Sequence, residues 1–92
     1  MDGLVLGRRG MGPHRKSDTQ ASMFTLSTGR ARMKEGNVDA ALGRFEAAIN
    51  LNSEDARAHY ELAKALLQKG HREAAQLAYQ KAKQLDPRLK PQ

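Results

Sequence analysis

Ninety-two residues without a cysteine suffice for one small domain, and they exclude disulfides, thiolate zinc sites and cysteine nucleophiles together. Sixteen Lys and Arg against ten Asp and Glu leave a net charge of +6, which favours acidic partners, nucleic acid among them. Trp is absent, and the only β-branched aliphatic residues are Val5, Val38 and Ile49, none in an alternating run, so strands have no support and the fold class is all-α.

Residues 1–21 (MDGLVLGRRGMGPHRKSDTQA) hold five Gly or Pro and four basic residues with no periodic apolar pattern. This composition predicts a disordered basic arm. Its apolar piece, Leu4-Val5-Leu6, is too short for a signal-peptide core or a membrane span and precedes the positive charges, where a secretory signal has them first. No export, no membrane and a cytoplasmic location are therefore the expectation, in keeping with the lack of Cys. Arg8, Arg9, Arg15 and Lys16 suit either a solvated tail or contact with nucleic acid.

Helical spacing begins at Ser22. A first helix is predicted to about Lys34, carrying Met23, Phe24, Leu26, Ala31 and Met33 and stopped by Gly36. Asn37 caps a second helix over Val38–Leu51, whose Ala41, Leu42, Phe45, Ala48 and Ile49 form one apolar stripe. Asn52-Ser53-Glu54-Asp55 is a turn, with Asn52 or Ser53 as the cap of a third helix over about Asp55–Lys69. Gly70 ends that helix in the left-handed conformation, a fourth helix covers Arg72–Leu85, and Pro87 closes it, leaving a short tail at 90–92.

Sliding the chain on itself by 34 residues places Ala31 on Ala65, Gly36 on Gly70, Ala41 on Ala75, Phe45 on Tyr79, Ala48 on Ala82 and Leu51 on Leu85. Two in-register copies, 22–55 and 56–89, resemble tetratricopeptide repeats, whose period is 34 residues. The second copy carries the family's signature at Leu62, Ala63, Leu66, Gly70, Ala75, Tyr79, Ala82 and Pro87; the first keeps Gly29, Gly36, Ala41, Phe45, Ala48 and Leu51. It departs at Thr28, Arg32 and Ser53, which predicts a weakened first helix. The resemblance implies two helix-turn-helix repeats, a fragment of an α-solenoid. Small residues there let helices approach closely, and Phe45 and Tyr79 fill the space between paired helices. These are packing residues and not ligand contacts.

The same resemblance puts binding on the first helix of each repeat: Met23, Leu26, Arg30, Met33 and Lys34, then Arg57, Tyr60, Lys64, Leu67 and Gln68. Four-residue spacing from Arg30 to Lys34 and from Tyr60 to Lys64 independently sets each pair on one helix face. The candidate ligand residues are Arg30, Lys34, Arg57, Tyr60 and Lys64, which suit an acidic or amphipathic peptide; the alternative is ordinary solvated charge. Capture of a chaperone C-terminal carboxylate, known for some members, does not fit, because Leu26, Arg30 and Glu61 stand at the early clamp positions. His14, His59 and His71 are isolated, and Gly7, Gly10 and Gly12 lack the strand and helix of a phosphate loop, so neither metal, cofactor nor enzyme is expected. The reading is a non-enzymatic protein-interaction module. Its alternatives are a self-assembling element joined through open edges, around Leu77, Ala78 and Leu85 or Met23-Phe24, and a nucleic-acid-binding accessory acting through the arm.

Overall fold

A computed structural model describes residues 16–89. It contains four helices, α1 (Lys16–Lys34), α2 (Val38–Leu51), α3 (Ala56–Gln68) and α4 (Arg72–Leu85), and no strand among the described residues. Of the arm predicted over 1–21, residues 1–15 lie outside the described residues, as does the tail at 90–92, whereas residues 16–21, expected to be disordered, instead form the first turns of α1.

The bounds of α2 and α4 are those predicted, but α1 starts at Lys16, earlier than Ser22. Ser22 shows why. Its side chain is fully buried, and its Oγ donates a hydrogen bond of 3.0 Å to the Ala48 carbonyl, fastening α1 to the end of α2. Lys16 to Ala21 contain no Gly or Pro, and extending an established helix adds about one backbone bond per residue fixed. Thr28 and Arg32, where weakening is expected, lie inside the continuous helix. Thr25 and Thr28 donate their hydroxyls to the Ala21 and Phe24 carbonyls at 2.8 and 3.1 Å, and Arg32 Nη1 pairs with Glu35 Oε1 at 2.7 Å. Both threonine hydroxyls bond back to carbonyls of the preceding turn, and the Arg32 partner Glu35 lies just past the helix end.

The two hairpins close identically. Gly36 has φ +82° and Gly70 φ +89°, a region open to residues without a Cβ. The Gly36 N–H donates to Met33 O at 3.0 Å and Asn37 N–H to Arg32 O at 2.9 Å; one repeat later, Gly70 donates to Leu67 O and His71 to Leu66 O at the same distances. The helix starts differ. Asn37 Oδ1 accepts from the Ala40 N–H at 3.2 Å, as predicted, whereas α3 is capped by Asp55, whose carboxylate accepts from the Arg57 N–H at 3.0 Å. Neither predicted cap serves: Asn52 Oδ1 instead accepts from Glu54 N–H and shapes the turn. His71 stands in the capping position of α4 without a side-chain bond.

α1 packs along α2 and α3 along α4, while α2 and α3 join the two hairpins. The core where they meet is Leu26, Ala41, Phe45, Ala48, Ala58 and Ala65, flanked by Met33, Val38, Leu42, Ile49 and Leu62. Small residues dominate because the helices approach closely. A methyl group built on Gly29 would lie 2.5 Å from Phe45 Cε1, so only glycine admits the fully buried ring at this crossing. In the second hairpin the corresponding ring, Tyr79, meets Tyr60 edge-on, with centroids 5.7 Å apart and planes at 62°.

Candidate functional site

Two shallow hollows open along the face shared by α1 and α3, and Arg30 lines both. The first, of about 370 Å³, is lined by Met23, Leu26, Ser27, Arg30, Asp55 and Arg57. The second, of about 200 Å³, is lined by Arg30, Met33, Lys34, Glu61 and Lys64. Three of the five predicted residues, Arg30, Lys34 and Lys64, therefore meet in one place. Their grouping follows from the repeat, since Arg30 and Lys64 occupy the same position of successive inner helices.

Arg57 shares the first hollow with Arg30 but not the second, where Arg30, Lys34 and Lys64 meet. It also lines a further hollow of about 550 Å³, together with Glu54, Asp55, Asp86 and Arg88. Asp86 accepts from the Arg88 backbone N–H and guanidinium Nε, both at 3.1 Å, and these bonds first, with Arg57 a smaller contributor, hold its carboxyl below the usual carboxylate range. Arg57 thus sits in mixed charge. Tyr60 lines neither hollow: its half-buried ring packs on Tyr79 and lies beneath Lys64, whose Nζ is 5.5 Å from the ring centre. The Tyr79 hydroxyl is buried without a partner among the described residues, and burial, then the charges of Tyr60 and Glu61, pushes its pKa up.

Sequence reading missed Glu61 as a member of this site. It is buried, 8% exposed, and its two oxygens face different cations: Oε2 lies 3.7 Å from Arg30 Nε and Oε1 3.7 Å from Lys64 Nζ. Those separations make ion pairs but are too long for hydrogen bonds. Both cations keep an outer side in water, with Arg30 53% and Lys64 39% exposed. The available signal was the register: Glu61 falls on Ser27, so one inner helix carries an acid where the other carries a small neutral residue.

Two repeated hairpins with identical glycine closures and small residues at each crossing are the geometry of a helical repeat. A family model described as TPR repeat matches residues 29–70, and one described as tetratricopeptide repeat matches residues 56–89. The chain belongs to the tetratricopeptide-repeat family. Repeats of this family mediate protein–protein interaction and are typically non-enzymatic. No curated protein matches the chain. Among the described residues of this tetratricopeptide-repeat chain, no group of three His, Cys, Asp or Glu is placed to hold a metal ion, and no helix is long and apolar enough to cross a membrane.

Proposed function

We propose that this tetratricopeptide-repeat chain binds an acidic, partly apolar peptide segment of another protein along the face between α1 and α3. The observation that carries the reading is the convergence of Arg30, Lys34 and Lys64 on one hollow, with half-buried Met33 beside them and Leu26 and exposed Met23 in the adjoining one. Cations beside a thioether and leucine strip favour carboxylates next to an apolar anchor. Arg57 belongs to the far end of the same path, and Tyr60 holds Lys64 in place from below. The test is fluorescence anisotropy with a labelled peptide of alternating Glu pairs and Leu, titrated with the chain and with an Arg30→Gln/Lys64→Gln variant of unchanged helicity. Loss of most affinity in the variant, and a fall in wild-type affinity with salt, supports the reading; equal binding by both refutes it.

A second reading, association between copies, draws on the exposed Met23 and Phe24, 60% and 75% accessible. The faces that head-to-tail stacking would join do not match. Val38, Leu42 and Ile49 of α2 pack against the core, but Arg72, Gln76 and Lys83, their counterparts on α4, are all exposed and polar. Stacking head to tail would lay Phe24 on charge. Of the residues expected at the other edge, Ala78 is buried and Leu85 half-buried, while Leu77 is 67% exposed and lines a furrow with Ile49 and Leu62. Light scattering from micromolar to near-millimolar concentration tests this reading, which requires association that Phe24→Ser abolishes.

A further inference from the structure

Glu61 lies where a ligand carboxylate would otherwise sit. One of its oxygens faces Arg30 and the other Lys64, at equal distances of 3.7 Å, so the seat between the two cations is already taken by an acid of the chain itself. The acid cannot swing away: it is 8% exposed on a helix packed against α1, α2 and α4. Two cations and one buried anion leave a single net positive charge at this spot, and Lys34 beside them raises it to two. The free sides of Arg30 and Lys64 point outward to water.

We infer that Glu61 is the specificity-determining residue of this face: by occupying the bridging seat it refuses a lone carboxylate and selects ligands with two separated acids, one for the outer side of each cation. The inference rests on the peptide-binding reading above. A single carboxylate that approaches both cations at once meets the Glu61 charge between them, and like charges at such distances repel. Two carboxylates spaced along an extended or helical segment avoid it, each making its own ion pair. The longer 3.7 Å pairs of Glu61 leave the donor hydrogens of both cations free for shorter, hydrogen-bonded contacts with such a ligand.

The experiment compares two blocked, fluorescently labelled hexapeptides, hexaglutamate and a Ser/Gly peptide with one central Glu, on the chain and on Glu61→Gln and Glu61→Ser. Gln removes the charge and keeps the volume. Ser removes both and is the residue that the first repeat carries in this register, at Ser27. Circular dichroism verifies that each variant is folded, and Gln, the isosteric change, carries the test if Ser does not fold. The single-Glu peptide is expected to bind the variants about three- to tenfold more tightly, the scale of one or two half-exposed ion pairs, with hexaglutamate gaining less so that the preference narrows. Glu46→Gln makes the same change in net charge on α2 and is expected to leave the preference unaltered. If hexaglutamate binds the wild type but the ratio stays the same in Glu61→Gln, or shifts equally in Glu46→Gln, the inference is overturned and the groove reading stands. If neither peptide binds the wild type or Glu61→Gln, both fall.

Discussion

Two glycines inside helices make the packing argument testable, because the same substitution is expected to have opposite signs. Gly43 lies on the exposed face of α2, and a methyl built there meets nothing within 4 Å. Gly43→Ala therefore collects only helix propensity and stabilises by about 1 kcal/mol. Gly29 gains the same propensity, but its new methyl would stand 2.5 and 2.7 Å from Phe45 Cε1 and Cδ1 and 3.1 Å from Arg44 Cβ. Ordinary carbon contacts need roughly 3.5–4.0 Å, so ring and helix must separate by about 1 Å. Phe45 is fully buried, and overpacking a buried ring costs about 1–3 kcal/mol. Offset by propensity, Gly29→Ala should destabilise by roughly 0–2 kcal/mol, placing the two variants about 1–3 kcal/mol apart. In a domain of this size that corresponds to roughly 5–20 °C in Tm by thermal circular dichroism. A third arm assigns the cause: in a Phe45→Leu background the Gly29→Ala penalty should disappear, a coupling of about 1–3 kcal/mol between neighbours. Equal stabilisation by both alanines, or a penalty that survives removal of the ring, would refute the close approach of α1 and α2.

Ser22→Ala removes the bond from α1 to the end of α2, yet the Ala48 carbonyl still accepts from Asn52 N–H at 2.9 Å, so urea unfolding should register a loss of only about 0.5–1.5 kcal/mol. His71 caps nothing while Asn37, its counterpart, does; His71→Asn should gain about 0.5–1 kcal/mol, seen as a raised Tm. Tyr79→Phe deletes a buried hydroxyl with no partner among the described residues and should be neutral or stabilising by up to about 1 kcal/mol in urea unfolding. The raised pKa of Tyr79 means that its contribution is complete below pH 10 and fades as pH climbs through the higher folded value, so Tyr79→Phe should show a smaller alkaline loss of Tm than the wild type. Asp86 acts in the opposite range: its lowered pKa gives stability present above the ordinary carboxylate value and lost as pH falls through the folded one, and Asp86→Asn should flatten the acid limb of the same profile.

Much of this molecule was legible as sequence because its determinants are local. Gly36 and Gly70 end helices by their own conformational freedom, Asn37 caps the helix that follows it, and Pro87 and the turn chemistry set limits that need no knowledge of distant residues. The period of 34 then fixed which positions correspond, and with that the pairing of helices. Correspondence in sequence was nevertheless not correspondence in burial. Ala65 is fully buried while Ala31, its counterpart, is exposed, and Ala58 is sealed in the core where Phe24 stands in water, because α3 packs on the preceding hairpin and no such hairpin covers α1 among the described residues. The site divides the same way. That Arg30 and Lys64 share a face follows from their spacing, but the arrangement around them depends on how closely α1 and α3 lie. Only that tertiary approach decides that Glu61 is buried between two cations from different helices, and that Arg57, identical in charge, lines the first hollow with Arg30 but not the second with Lys34 and Lys64.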